Sequence, residues 1–178
     1  MGKVIEIRIH GRGGQGAVTA AELIAISAFK DGKFSQAFPK FGPERRGSPV
    51  ESYIRISDEF INLRTEVYTP DHVIVLDDSL PRVVDITEGL SSRGIIMMNS
   101  DRKRRFNNYD VYNLDANRIA MEILGRPIFN TIMLGAFAKA TNLISLKSLL
   151  ESINERFEGE MREKNALAVK RAYEETRA

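Results

Sequence analysis

Gly11-Arg12-Gly13-Gly14-Gln15-Gly16 places four glycines in six residues. No helix or strand interior tolerates that density, because glycine loses more backbone freedom on ordering than any other residue. The segment is therefore a loop that needs positive φ or a close backbone approach. It follows an alternating run, Val4-Ile5-Glu6-Ile7-Arg8-Ile9, and opens an alanine-rich one over residues 17–29. A glycine loop between a strand and a helix leaves the first helical N–H groups pointing outward, and the helix dipole adds partial positive charge there. Such a helix start suits an anion, phosphate above all. Gly11, Gly13 and Gly16 also match the G-x-G-x-x-G spacing of dinucleotide-binding folds. The alternative is a tight strand-to-helix turn that binds nothing, and the loop alone does not choose between them.

The remaining chain alternates strand-like and helix-like segments. Ile5, Ile7 and Ile9 share one face of the first strand, with Glu6, Arg8 and His10 on the other, which predicts one wet face. The helix over 17–29 carries only Glu22 as a charge, so it needs cover on more than one side, part of which a partner protein can supply. Residues 39–49 hold three prolines and two glycines, which predicts a long loop. Residues 50–57 and 61–65 alternate around Asp58-Glu59 and predict an antiparallel hairpin. The apolar runs 73–76 and 95–98 predict central parallel strands. They end in Asp77-Asp78 and Asn99-Ser100, where open α/β sheets place ligands. A crossover helix is expected over 83–90 and a short strand over 111–114. Asp115 caps a helix over 116–124 that Gly125 and Pro127 stop, and 128–143, with Lys139 its single charge, reads as a buried helix. Ser145 caps the next helix, and 160–176 forms the last, with Ala166, Val169 and Tyr173 inward. No repeat or second domain interrupts residues 1–178.

Several chemistries are poorly supported. Cysteine is absent, which leaves no disulfide, thiolate zinc site or iron–sulfur ligand in this chain. The 26 basic and 24 acidic residues balance too evenly for a nucleic-acid binder. Arg102-Lys103-Arg104-Arg105 reads as a solvated turn, since only Phe106 accompanies it as a stacking surface. No apolar run approaches the ~18 residues that span a bilayer, and Met1-Gly2-Lys3 runs straight into a strand, so a cytoplasmic protein is expected. His10 and His72, the only histidines, lie in no nucleophile–base motif, and His10 reads as structural. Asp77 and Asp78 point to opposite sides of a strand, which suits capping or a turn better than a metal. No catalytic or metal-binding residue is assigned. Asp31 lies at about the distance of a ribose-binding acid, yet beside Gly32 it reads as a turn residue. Lys40, Arg45 and Arg46 follow instead, a basic group that favours a ligand with extra phosphate over plain NAD.

Residues 7–25 (IRIHGRGGQGAVTAAELIA), 35–56 (SQAFPKFGPERRGSPVESYIRI) and 70–80 (PDHVIVLDDSL) resemble the gamma subunit of 2-oxoacid:ferredoxin oxidoreductases, with the pyruvate-type enzymes nearest. The similarity continues through 125–144 (GRPIFNTIMLGAFAKATNLI) and 162–176 (REKNALAVKRAYEET), and is weakest over 102–108. It implies a three-layer α/β/α sandwich with a mixed, mostly parallel sheet and one antiparallel hairpin. It also implies an enzyme that decarboxylates a 2-oxoacid with coenzyme A and reduces ferredoxin. Thiamine diphosphate with Mg and the 4Fe-4S clusters then belong to partner alpha, beta and delta subunits. The gamma domain is associated with coenzyme A, which would fall to Gly11, Arg12, Gly13, Gly14, Gln15, Gly16, Arg45 and Arg46. The apolar first helix further suggests a homodimer when the chain is isolated. The alternatives are the gamma subunit of a 2-oxoisovalerate or 2-oxoglutarate:ferredoxin oxidoreductase, and a free-standing nicotinamide-dependent enzyme.

Overall fold

The computed structural model describes residues 3–40, 46–107 and 109–177. Its strands are β1 (Ile5–Arg12), β2 (Phe34–Pro39), β3 (Pro49–Ser57), β4 (His72–Val75), β5 (Ile95–Asn99) and β6 (Asp110–Leu114). They form one sheet in the order β2-β3-β1-β4-β5-β6. β1, β4, β5 and β6 pair in parallel, while β3 is antiparallel to both β1 and β2. The expected α/β class with a mixed, mostly parallel sheet is thus observed. Its antiparallel hairpin is β2–β3, with Phe34 opposite Ser57 and Pro39 opposite Ser52. Residues 61–65 form no strand. Side chains from the sheet take the backbone carbonyls of this stretch: Gln36 binds that of Ile61, and Arg55 those of Thr65 and Glu66.

Among the described residues five helices cover one face: α1 (Ala17–Lys30), α2 (Ala116–Ile123), α3 (Asn130–Thr141), α4 (Leu146–Arg156) and α5 (Gly159–Glu175). All bury residues in one core with Ile7, Ile9, Ile54, Ile56, Ile74 and Met97. Asp115 and Ser145 cap α2 and α4 as expected, accepting from the N–H groups of Arg118 and Ser148 at 2.9 and 3.1 Å. α3 lies between the sheet and α5, so residues 130–138 are all buried. Gly135 permits that packing, because a Cβ there would lie 2.3 Å from the Val169 carbonyl oxygen.

The second face is covered without a long helix. A 3₁₀ turn at Leu80–Arg82 and coil bring Leu80, Ile86 and Leu90 over Val73, Val75, Ile96 and Met98. The helix expected over 83–90 does not form. Thr87 donates its N–H and hydroxyl to Asp85 in a local turn, and Arg8 occupies the carbonyls of Ile86 and Glu88. The polar face of β1 is not wet either. Arg8 is 5% exposed, His10 2%, and the neighbouring Arg55 fully buried. Arg55 pairs with Glu6 at 2.8 Å and lies over the Phe38 ring, so the buried charge has both a counterion and an aromatic face.

Candidate functional site

β1 and β2 point the same way, and β4, β5 and β6 run with them, so the glycine loop and the carboxyl ends of these strands share one edge of the sheet. The chain turns from β1 toward β2 and β3 on one side and toward β4 on the other, making this edge the switch point where open sheets bind ligands. A cleft of about 560 Å³ opens there, lined by Gln15, Asp77, Asn99, Asp115, Arg118 and Phe129 among others.

The glycine loop is held by backbone and side chains together. Gln15 accepts from the Arg12 N–H at 2.8 Å and donates to Asp77 Oδ2 at 2.9 Å. Arg12 reaches Asp77 Oδ2 at 3.2 Å, the Ser79 hydroxyl at 2.8 Å and the Gly47 carbonyl at 3.0 Å. Burial alone would raise the Asp77 carboxyl, but hydrogen bonds from Ser79 and Gln15, with the Arg12 guanidinium, overrule it and hold it below the ordinary carboxylate range. Arg12 and Gln15 therefore brace the loop. Asp78 turns the other way, to Arg104 at 2.7 Å, so the adjacent carboxylates diverge as their positions on the chain predict.

Gly16 caps α1 with φ 79° and no side-chain cap. Asn130 at the start of α3 donates to its carbonyl at 3.2 Å. The N–H groups of Ala17, Val18 and Thr19 have no hydrogen-bond partner among the described residues, and no acidic side chain sits in the first turn of α1. The positive end of the helix is thus left uncompensated.

The structure brings Arg46 to this loop. Gly13 and Arg46 form an isolated parallel bridge; the Gly13 N–H donates to Ser48 O at 2.9 Å and the Gly47 N–H to Gly13 O at 3.1 Å. Arg46 is exposed beside the helix start. Arg45 lies outside the described residues. Asp31 sits at the opposite end of α1 from the glycine loop, where its carboxylate binds Ser145 and Ser148 instead of facing a ligand. His10 is a structural residue: burial, above all, lowers its pKa to about 4. His72 is lowered by burial too, and accepts from the Ile95 N–H at 3.4 Å.

Ser79 belongs to no motif, and Asn130 enters only as the first residue of the Asn-x-x-x-Leu-Gly segment at 130–135. Asn130 falls inside the 125–144 segment of the resemblance, but nothing local signals that it meets Gly16 across 114 positions. Ser79 follows the Asp77-Asp78 pair, which read as a turn, and its role as an Arg12 partner depends on the β1–β4 pairing.

Residues 6–175 match the pyruvate ferredoxin/flavodoxin oxidoreductase family. The chain is 54% identical over 172 residues to pyruvate synthase subunit PorC of Methanothermobacter thermautotrophicus, covering 97% of this chain and 96% of that one. It is 51% identical to the common subunit gamma of the pyruvate/ketoisovalerate oxidoreductases of Thermococcus kodakarensis, covering 97% of each. The crystal structure of pyruvate oxidoreductase subunit PORC from Thermotoga maritima superposes with a TM-score of 0.87 at 38% identity, over 98% of both chains. A fold likeness alone, at 20% identity and a TM-score of 0.76, extends to 30% of the chain of a 2-oxoglutarate:ferredoxin oxidoreductase from Magnetococcus marinus. With its glycine loop, its arginine loop and nearly its full length matched, the chain belongs to the pyruvate ferredoxin/flavodoxin oxidoreductase family.

Proposed function

We propose that this chain is the gamma subunit of a multi-subunit pyruvate:ferredoxin oxidoreductase (pyruvate synthase) of the cytoplasm, and that it contributes the phosphate cradle for coenzyme A. The observation that carries the cradle is the Gly13–Arg46 bridge, which sets a cation beside an uncompensated helix start. Coenzyme A bears a pyrophosphate and a 3′-phosphate and calls for both backbone donors and fixed positive charge. The N–H groups at the start of α1 supply the first. Arg46, with Arg45, supplies planar multi-donor contacts. The cleft beyond them carries Asp77, Asp78, Asp101 and Asp115, which favours the hydroxyl and amino groups of a nucleoside over phosphate. Arg12 and Gln15 keep the cradle in shape.

Reduction of ferredoxin needs electron carriers, and decarboxylation needs thiamine diphosphate with Mg. This chain suits neither: it has no cysteine for a 4Fe-4S cluster, and no Gly-Asp-Gly followed by paired asparagines for the diphosphate and its metal. Those groups are assigned to the alpha, beta and delta subunits, so the complete active site exists only in the assembly. The shared gamma subunit of Thermococcus kodakarensis supports a second reading, in which the same chain also serves a 2-oxoisovalerate enzyme. A 2-oxoglutarate enzyme follows the same scheme.

The test is made on the assembled enzyme. Arg45→Ala with Arg46→Ala is expected to raise the KM for coenzyme A while assembly and the KM for the 2-oxoacid stay unchanged. Each lost charge-assisted contact corresponds to about 1.5–3 kcal/mol. Loss of assembly with an unchanged coenzyme A KM in the remaining complex would show that the arginines build a subunit interface.

A further inference from the structure

Among the described residues β2 is the last strand on its side of the sheet. Its register with β3 tells which backbone groups it leaves over. Lys40 donates to the Glu51 carbonyl at 2.9 Å, and these two residues stand opposite each other in the register of the β2–β3 pairs. Bonded and non-bonded pairs alternate in an antiparallel ladder. Phe38, Gln36 and Phe34 therefore spend their N–H and C=O groups on β3, while those of Ser35 and Ala37 point outward. Both ends of this outward run are closed. Pro39, the next outward position, has no N–H, and Lys33 gives its own to the Ala28 carbonyl at 3.0 Å.

Open edges are usually guarded by a charge or a bulge. β2 has neither: Phe34–Pro39 carries no charged residue and its register with β3 is unbroken. The flanking lysines are engaged, Lys33 with the Leu143 carbonyl at 2.9 Å and Lys40 with Glu51 at 3.3 Å. Apolar surface borders the edge on both faces. On one, Phe34 meets Phe60 edge-on with centroids 6.1 Å apart, and both rings are exposed. On the other, Ser35 donates its hydroxyl to the Ala25 carbonyl of α1 at 2.7 Å, and the exposed Phe29 lies one turn along the same side of that helix.

We propose that this edge binds a second copy of the chain, β2 against β2 in antiparallel pairing about a twofold axis at Gln36, so that two sheets become one. The strand is complementary to itself. With Gln36 opposite its own copy, Ser35 stands opposite Ala37 of the second copy, and each of these residues donates one bond and accepts one. Moving the axis to Ser35 or to Ala37 would leave one of their carbonyls unpaired. Phe34 falls opposite Phe38 of the second copy, in the close non-hydrogen-bonded position where aromatic side chains meet across strands. No free like charges come together. The contact uses up the edge of both copies, so it closes as a dimer.

The test is made on the full chain, by sedimentation over a range of concentrations and by amide exchange at Ser35 and Ala37. The parent is expected to dimerise, with both amides protected in the dimer and fast in the monomer. Gln36→Lys and Gln36→Glu each set like charges opposite across the axis, and each should be monomeric where the parent is a dimer. Mixed in equal amounts, the two should dimerise again. Ala37→Pro removes an outward N–H and no bond to β3, and should also be monomeric. A dimer whose Ser35 and Ala37 amides stay fast would overturn the inference and put the contact elsewhere, on the outer face of α1. A monomeric parent whose two amides become protected only in the assembled enzyme would overturn it too, and give the edge to another subunit. So would charge variants that are folded by circular dichroism and fail to pair when mixed. The exchange is read on the parent itself, so a variant that does not fold leaves the question decided.

Discussion

Gly16 shows how one position can answer to both backbone and packing. Its φ of 79° is a conformation that side chains resist, and a Cβ there would lie 2.4 Å from Asn130 Nδ2. Gly14 is the internal control, with φ 93° and nothing within 4 Å of a built Cβ. Gly16→Ala is expected to lower stability by about 1–3 kcal/mol and Gly14→Ala by less, since only the first adds a clash to the strain. Thermal melts of the two variants decide it. Equal losses would mean that the Asn130 contact is compliant and that strain alone keeps glycine at 16. At Arg12 the sequence suggested a ligand contact, and the structure engages its guanidinium with Asp77, Ser79 and Gly47. A side chain's motif membership does not say which of its donors remain free.

Among the elements, α1 and α4 are joined by one carboxylate. Asp31, at the C-terminal end of α1, accepts from Ser145 N at 2.6 Å, Ser145 Oγ at 2.7 Å and Ser148 Oγ at 2.6 Å, all at the start of α4. Burial pushes its carboxyl up, and these hydrogen bonds from Ser148 and Ser145 overrule that and lower it. A carboxyl whose pKa is lower in the fold than in the unfolded chain stabilises above the unfolded value, and that stability is lost as pH falls through the folded value. Asp31→Asn should therefore destabilise the chain at neutral pH by about 1 kcal/mol, the difference between a charged and a neutral hydrogen-bond acceptor. The gap from the parent should close under acid. Urea melts at pH 7 and in the acid range check both the size and the sign. A gap that stays constant with pH would show that the charge of Asp31 contributes nothing.

For the whole molecule, the surface follows from its place in an assembly. α1 buries Ala17, Ala20, Ala21, Leu23, Ile24, Ser27 and Ala28, yet leaves Val18, Ile26 and Phe29 exposed at 37, 43 and 72%. Val18, Ile26 and Phe29 share this outer face with the exposed Glu22, and an exposed face so rich in apolar side chains suits a contact with another chain. Phe29→Glu is expected to leave the isolated chain's stability within about 0.5 kcal/mol, the usual range for surface changes, and to reduce recovery of the assembled complex or of a homodimer of the isolated chain. Co-purification with the partner subunits, alongside size-exclusion of the isolated variant, measures both. Full recovery of both species would remove this face from the candidate interfaces. Among the described residues no helix is long and apolar enough to cross a membrane.

The sequence by itself determined the strand–glycine loop–helix unit, the apolar central strands β4 and β5, the capped helices α2 and α4, and the burial of α3. Each of these is written in local periodicity and in cap or glycine chemistry that neighbouring residues complete. The resemblance over nearly the full chain also carried the family. Tertiary structure alone decided three things. It paired β3 with β2 and β1 instead of with residues 61–65, because Gln36 and Arg55 bind the carbonyls that a strand there would have used. It buried the polar face of β1, because Arg8 reaches the carbonyls of Ile86 and Glu88, His10 faces Glu51 and Arg55 pairs with Glu6, partners that no alternation pattern records. It joined Gly13 to Arg46 and Gly16 to Asn130, contacts whose free energy depends on distant backbone meeting at one sheet edge. Local chemistry chooses elements; where donors from remote segments are satisfied chooses the site.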